Sequence, residues 1–159
     1  MCFGPFHHDP PAGWHGLARG LQTDWYPLDY PANRCAISVY PATPARAPFA
    51  RIIEARLALD SEVGFQPTAV GEPSPLVSDH GLHGEIVNLE GDKDGLRFER
   101  QLAAFQDARY AYAAILDCAA APTQRDAARG AFAALLRSCR PLPAPPGAEL
   151  AAALGHWAH

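Results

Sequence analysis

The sequence predicts an α+β domain in which an antiparallel sheet of about six strands packs against two amphipathic helices. Apolar residues alternate with period two over 35–40, which indicates a strand, and recur at helical spacing over 49–63 and 128–139. Short polar turns separate the apolar runs between 82 and 116, as in an antiparallel meander. With 159 residues, 48% of them hydrophobic, the chain has the size and composition of one domain with one continuous core.

The N-terminal part is predicted to hold an irregular arm, an edge element and a strand. Residues 1–16 are rich in proline, glycine and histidine, which predicts an arm without regular structure. Residues 17–30 carry aromatic side chains close to prolines and predict either an edge strand or a turn-rich segment. The strand over 35–40 ends at Pro41, which has no amide hydrogen to donate to a sheet ladder.

The first helix is predicted from Pro48 to Gly64. Proline suits the first turn, where the amide hydrogen has no partner within the helix, and glycine suits the end. A short strand is predicted over 65–71. Three more strands follow with short connections, and their predicted ranges are 82–89, 96–105 and 110–116, joined by Gly91–Gly95 and Asp107–Arg109.

The closing helix is predicted over 123–139. Thr123 can cap its first turn, and Asp126 has the spacing of a capping box. The proline-rich stretch 143–147 then predicts a stiff linker that leads into a short helix. The predicted organisation is therefore an N-terminal arm (1–16), a single α+β domain (17–142), and a C-terminal linker with a short helix (143–159).

Charge and composition argue against nucleic-acid and membrane partners. The formal net charge is −4, the sequence pI is about 5.9, and the twelve arginines are scattered along the chain. The N-terminus lacks a basic region followed by an apolar one, and no apolar run approaches the roughly 18 residues of a transmembrane helix. A cytoplasmic protein that does not insert into a membrane is therefore expected.

No recognised catalytic or metal-binding motif is present in the sequence. The four cysteines lie far apart without a CxxC pair, and three of them fall on apolar faces, so buried thiols are expected. His7, His8 and Asp9 are possible metal ligands, but a proline-rich arm does not give them the fixed spacing of a helical site. Asp92 and Asp94 alternate as calcium ligands do, in a turn too short for an EF-type loop. We therefore expect a non-enzyme with no catalytic residues, no metal and no cofactor.

The residues best suited to contacting a protein partner are aromatic and apolar. Tyrosine and tryptophan are favoured both in cores and at interfaces, and a sheet face left open by the helices would form an apolar groove. The predicted C-terminal helix adds a further apolar face. The candidate partner-binding residues are Trp14, Trp25, Tyr110, Tyr112 and Ile115 in the domain, and Leu150, Leu154 and Trp157 in the C-terminal segment.

Three local strings, together with the order of elements over 11–142, resemble the PsbP-like and Mog-like fold family. The strings are Pro11–Trp14, Arg109–Tyr112 and Ala131–Pro141. The resemblance implies an α+β fold that binds other proteins without catalysis. The family includes extrinsic photosystem proteins, a nuclear-import factor that binds the GTPase Ran, bacterial lipoproteins, and cytosolic Eag chaperones of type VI secretion, which hold hydrophobic N-terminal helices of effectors. This chain is most similar in character to the last branch, although the short chaperones lack the segment after Pro141.

The residues and this resemblance together predict a bacterial cytosolic chaperone or adaptor that holds an apolar segment of a secreted or membrane-bound protein. A homodimer is compatible with that prediction. Two alternatives stay open from the sequence alone. One is a structural subunit that docks through residues 143–159, and the other is a small protein that binds a metal or ligand through the histidine-rich arm.

Overall fold

The structure confirms the α+β class, with an antiparallel sheet that carries one helix on each face. The computed structural model describes residues 7–29, 34–42, 49–107, 109–119 and 121–141. The strands are β1 (Trp14–Arg19), β2 (Gln22–Pro27), β3 (Cys35–Val39), β4 (Gln66–Val70), β5 (Ser74–Val77), β6 (His83–Lys93), β7 (Leu96–Gln106) and β8 (Ala111–Cys118), and the helices are α1 (Phe49–Glu62) and α2 (Pro122–Ser138). The order across the sheet is β1-β2-β3-β8-β7-β6-β4, and β5 also pairs with β6.

The described residues form eight strands, two more than the six or so predicted, and both additional strands lie at the sheet edges. The predicted edge element over 17–30 is a hairpin of β1 and β2, with Gly20 in the turn at φ 60°. The predicted strand over 65–71 is β4, and β5 follows it along the same edge of β6. Five of the six β1 residues and all of β4 are exposed. Edge strands of this kind lack the alternation of apolar and polar residues that identifies a half-buried strand.

The predicted meander is confirmed as β6, β7 and β8. Its first turn is shorter than predicted, because β6 continues to Lys93 and only Asp94 and Gly95 form the turn. Both turn residues have positive φ, 51° for Asp94 and 76° for Gly95. This is the backbone of a type I′ turn, whose twist matches that of the two flanking strands.

The closing helix is confirmed as α2, and it buries Phe132 and Leu135 against one sheet face. The predicted cap at Thr123 is wrong. The N-cap is Ala121, which makes no side-chain hydrogen bond, and Pro122 occupies the first turn. The fixed φ of proline already suits the first helical position, and this favours a start before Thr123.

The opposite sheet face packs against α1, which confirms the first predicted helix. Ile53 of α1 is buried, and Gly64 ends the helix at φ 96°. The other buried members of this core are Phe65, Val87, Leu89, Phe98, Leu102 and Ile115. The sheet therefore separates two apolar cores.

Three cysteines are buried thiols, as predicted: Cys35, Cys118 and Cys139. Cys2 lies outside the described residues. The strand register adds a fact that the sequence does not contain, because Cys35 of β3 lies directly opposite Cys118 of β8.

Candidate functional site

The helix α2 covers only part of its sheet face, and a groove follows the side of the helix that faces β6 and β7. We call it the α2 groove. Its first lobe has a volume of about 450 Å³ and is lined mainly by apolar side chains, among them Leu76, Ile86, Ala133 and Leu136. The spacing of Ala133 and Leu136 along α2 places both on the helix side that borders this lobe.

The second lobe of the α2 groove contains more charged side chains than the first, and it shares Gln101 and Arg129 with it. Its volume is about 350 Å³. The Glu99 carboxylate accepts hydrogen bonds from both Arg125 and Arg129 of α2, so the charges in this lobe largely neutralise one another. Gln101 Nε2 donates to the Asn88 side-chain oxygen at 2.9 Å. Most charged side chains of the groove therefore gather in one of its two lobes.

Arg137 lines the apolar lobe and leaves a positive charge there. Among the described residues, its guanidinium forms no ion pair, in contrast to Arg125 and Arg129. Arg137 is exposed, so its charge is available to a carboxylate of a binding partner.

The outer wall of the groove is formed by β4 and β5. Pro67 and Pro75 lie within these strands and remove two amide hydrogens from the sheet edge. Such an edge is a poor template for adding a further strand. A segment that uses the groove is therefore expected to lie on the sheet face and not along its edge.

The structure places Trp14 and Trp25 across α2 from the groove, on β1 and β2. Both are half-buried against the core beneath α2. Trp25 Nε1 donates to His8 Nε2 at 3.0 Å, and a Cβ on Gly16 would lie 2.8 Å from the Trp25 ring. The absence of a side chain at Gly16 lets the indole ring lie flat across β1.

His8 and Asp9 are possible ligands in the alternative in which the histidine-rich arm binds a metal, and both make contacts within the protein. Its Nε2 accepts the Trp25 hydrogen bond, and the neighbouring Asp9 pairs with Arg140 at 3.2 Å. In the described part of the chain, no three histidine, cysteine or acidic side chains cluster as metal ligands would.

Tyr110 and Tyr112 flank the turn into β8 and surround Asp107. Tyr112 is 1% exposed, and its hydroxyl donates to Asp107 Oδ2 at 2.7 Å. The backbone amides of Arg109 and Tyr110 donate to Asp107 Oδ1 at 2.6 and 2.7 Å. Burial alone would raise the pKa of the Asp107 carboxyl, but these three hydrogen bonds outweigh it and lower the pKa below its usual value. The Tyr112 hydroxyl and the two backbone amides therefore stabilise the turn through Asp107.

The variant Asp107→Asn is expected to lower the free energy of unfolding by about 1 kcal/mol at pH 7, because it removes the charge from three hydrogen bonds at a partly exposed site. A carboxyl with a lowered folded-state pKa stabilises the protein above its ordinary pKa of 3.8 and loses that effect as the pH falls through the folded value. Urea unfolding of both proteins should therefore show a difference at pH 7 that shrinks towards pH 2. Asp126→Asn, on the exposed side of α2, is the control, and an equal difference at every pH would contradict the prediction.

Ile115 lies on the other face of β8, buried in the core beneath α1. The remaining candidate residues, Leu150, Leu154 and Trp157, lie outside the described residues. Of the predicted partner-binding set, the structure therefore brings Trp14 and Trp25 together on the β1–β2 side, and none of the described five lines the α2 groove. The groove residues escaped prediction because they come from five strands, β4 to β8, and from α2, and have no common sequence pattern.

A second group of residues that the sequence analysis missed is a charged cluster beneath α1. Arg100 of β7 donates from Nε and Nη2 to the two carboxylate oxygens of Asp117, at 2.6 and 2.8 Å. It also pairs with Asp60 of α1, which accepts a further hydrogen bond from Arg56 at 3.2 Å. Arg100 and Asp60 are almost fully buried, at 5% and 4% exposure. The available signal was Asp117, the one charged residue of β8, whereas Arg100 lies beside other charged residues of β7 and does not stand out.

This charged cluster borders a cleft of about 360 Å³ between α1 and the sheet. The Arg56 guanidinium lies 3.6 Å from the centre of the Tyr40 ring, and the Arg100 guanidinium lies 3.7 Å from that of Phe65. Burial raises the pKa of the Tyr40 hydroxyl, although the Arg56 charge opposes the shift. Because Arg100 bridges α1 and β8, the cluster fixes the position of α1 on the sheet.

In the part of the chain that the structure describes, neither helix combines the length and apolar character needed to cross a bilayer. No protein-family model matches the chain, and no curated protein sequence matches it. A comparison with solved structures matches the chain to the crystal structure of PA94, a protein of unknown function from Pseudomonas aeruginosa. The two are 11% identical with a TM-score of 0.48, and the match covers 83% of this chain and 99% of that one. A similarity at this level carries no information about function.

Proposed function

We propose that this chain is a non-enzymatic, cytoplasmic protein-binding module whose α2 groove holds an apolar segment of a partner protein. The observation that supports the proposal is the apolar lobe between α2 and β6, where Leu76, Ile86 and Ala133 border a space of about 450 Å³. A space of that size lies within the range of known ligand pockets, roughly 300 to 1,000 Å³. A chaperone or adaptor for a secreted or membrane-bound protein needs such a surface, because it must keep apolar residues of its client from water.

The charges of the groove define the partner segment further. The segment carries apolar side chains for the lobe beside Ala133 and an acidic residue next to Arg137. In the second lobe the arginines already pair with Glu99, so no further charge is required of the partner there. The specificity then comes from one ion pair placed at the end of an apolar contact.

The test uses a fluorescently labelled peptide of leucine and alanine that ends in aspartate, and the same peptide ending in lysine. Fluorescence anisotropy is expected to show binding of the acidic peptide and binding at least about tenfold weaker for the lysine peptide. Ala133→Arg places a long charged side chain in the apolar lobe and is expected to weaken binding at least about tenfold. Ala134→Arg, on the exposed side of α2, is the matched control and should bind as the wild type does.

Equal binding by the two variants would place the peptide outside the α2 groove and overturn the proposal. Equal binding of the two peptides by the wild-type protein would instead reject the role of Arg137 alone. Circular dichroism of both variants verifies that the arginine has not disturbed α2.

A further inference from the structure

Cys35 and Cys118 occupy a position in the sheet where two thiols can be joined. In an antiparallel ladder, hydrogen-bonded and non-hydrogen-bonded residue pairs alternate. The amide of Tyr40 donates to the carbonyl of Ala113 at 3.0 Å, and the amide of Ala119 donates to the carbonyl of Arg34 at 2.6 Å. These two pairs are hydrogen-bonded pairs, so the Cys35–Cys118 pair next to Arg34 and Ala119 is a non-hydrogen-bonded one.

The non-hydrogen-bonded register brings the two cysteines within disulfide distance. The Cα atoms of such a pair lie about 4.5 Å apart, inside the range of about 4.4 to 6.8 Å seen for disulfides. Both side chains belong to the core beneath α2, and the two thiols are in hydrogen-bonding contact. That contact and burial raise the pKa of the Cys35 thiol. Cys139, the third buried cysteine, instead donates to the Leu135 carbonyl at 3.3 Å.

Each of the paired cysteines also borders a cleft, although each is only 3% exposed. Cys35 lines a cleft of about 440 Å³ that it shares with Trp14, Leu28 and Ala128. Cys118 lines the second lobe of the α2 groove. A small oxidant can therefore approach the pair from two sides without unfolding of the sheet.

We propose that Cys35 and Cys118 are a modification site at which hydrogen peroxide forms an intrachain disulfide across β3 and β8. One cysteine first loses its proton, and its thiolate sulfur attacks peroxide; the O–O bond breaks, and the released hydroxide takes up the proton, which gives a sulfenic acid and water. The second thiol attacks that sulfur, forms the S–S bond and releases a second water. The two thiols thus lose two electrons and two protons, and one peroxide is reduced to two waters. A dithiol reductant reverses the reaction by thiol–disulfide exchange.

The experiment treats the folded full-length chain with hydrogen peroxide, alkylates the remaining thiols in denaturant, and digests with trypsin without reduction. Of the four cysteines, two are expected to resist alkylation. Mass spectrometry should show peptide 35–46 linked to peptide 110–125, with a mass two hydrogens below their sum, and dithiothreitol should separate them. The oxidised protein should unfold at a higher urea concentration than the reduced one, because the link restricts the unfolded chain.

The peptide map of the wild-type protein is enough to test the proposal, because it shows directly which peptides are linked. Cys139→Ser should preserve the linked peptide, and Cys118→Ser should abolish it and leave peptide 35–46 alkylated or bearing an oxidised thiol. A disulfide of either cysteine to Cys2 or Cys139, a covalent dimer, or oxidation of both to sulfinic acid without a link would overturn the proposal. Complete alkylation of both cysteines after peroxide treatment would overturn it as well.

Discussion

Replacement of Arg100 by methionine is expected to lower the free energy of unfolding by about 3 to 5 kcal/mol. The variant removes the cation between Asp60 and Asp117 and leaves Arg56 as the only partner of the buried Asp60 carboxylate among the described residues. An uncompensated buried charge is among the most destabilising features that one substitution can create. Urea unfolding followed by circular dichroism measures the change.

Two further variants separate the loss of charge pairing from the loss of the arginine side chain. Arg97→Met lies on the same strand but on the opposite, solvent-exposed face, and should leave the unfolding midpoint unchanged. The double variant Arg100→Met, Asp60→Leu removes both charges and should recover much of the loss, since apolar side chains can replace a buried ion pair at little cost. If Arg100→Met were no more destabilising than Arg97→Met, the buried cluster would not hold α1 on the sheet.

The variant Gly84→Ala is expected to destabilise the protein by about 3 kcal/mol or more. Gly84 of β6 pairs with the buried Phe105 of β7, and a Cβ at Gly84 would lie 1.8 Å from the carbonyl oxygen of Ala104. A backbone carbonyl cannot rotate away as a side chain can, so β6 and β7 would have to separate locally. Urea or thermal unfolding measures the loss.

The control for this prediction is Gly130→Ala, because that glycine lies within α2 and a Cβ there would meet nothing within 4 Å. Alanine is expected to stabilise the helix by about 1 kcal/mol at such a site. The same chemical change should therefore have opposite signs at the two glycines. A Gly84→Ala protein as stable as the wild type would be incompatible with the close approach of β6 and β7.

The functional predictions depend on the fold, as the stability predictions for Arg100 and Gly84 do. The sequence analysis selected aromatic residues, and the structure assigns Tyr112 and Ile115 to the two cores and Trp25 to a contact with His8. The α2 groove is lined instead by small and polar residues such as Ala133 and Gln101. These residues line a groove because of which strands α2 leaves uncovered. Residue type alone could not identify them.

The sequence by itself determined the α+β class, both helices, β3, and the meander of β6 to β8, because these elements show apolar periodicity within a single segment. The Asp94–Gly95 turn is also determined locally, because aspartate and glycine adopt the positive φ that this turn requires. Only the tertiary structure decided the β1–β2 hairpin, β5, the Arg100 cluster, the α2 groove and the pairing of Cys35 with Cys118. Each depends on strand register or helix placement, which is set by burial summed over segments distant in the chain and not by any local pattern.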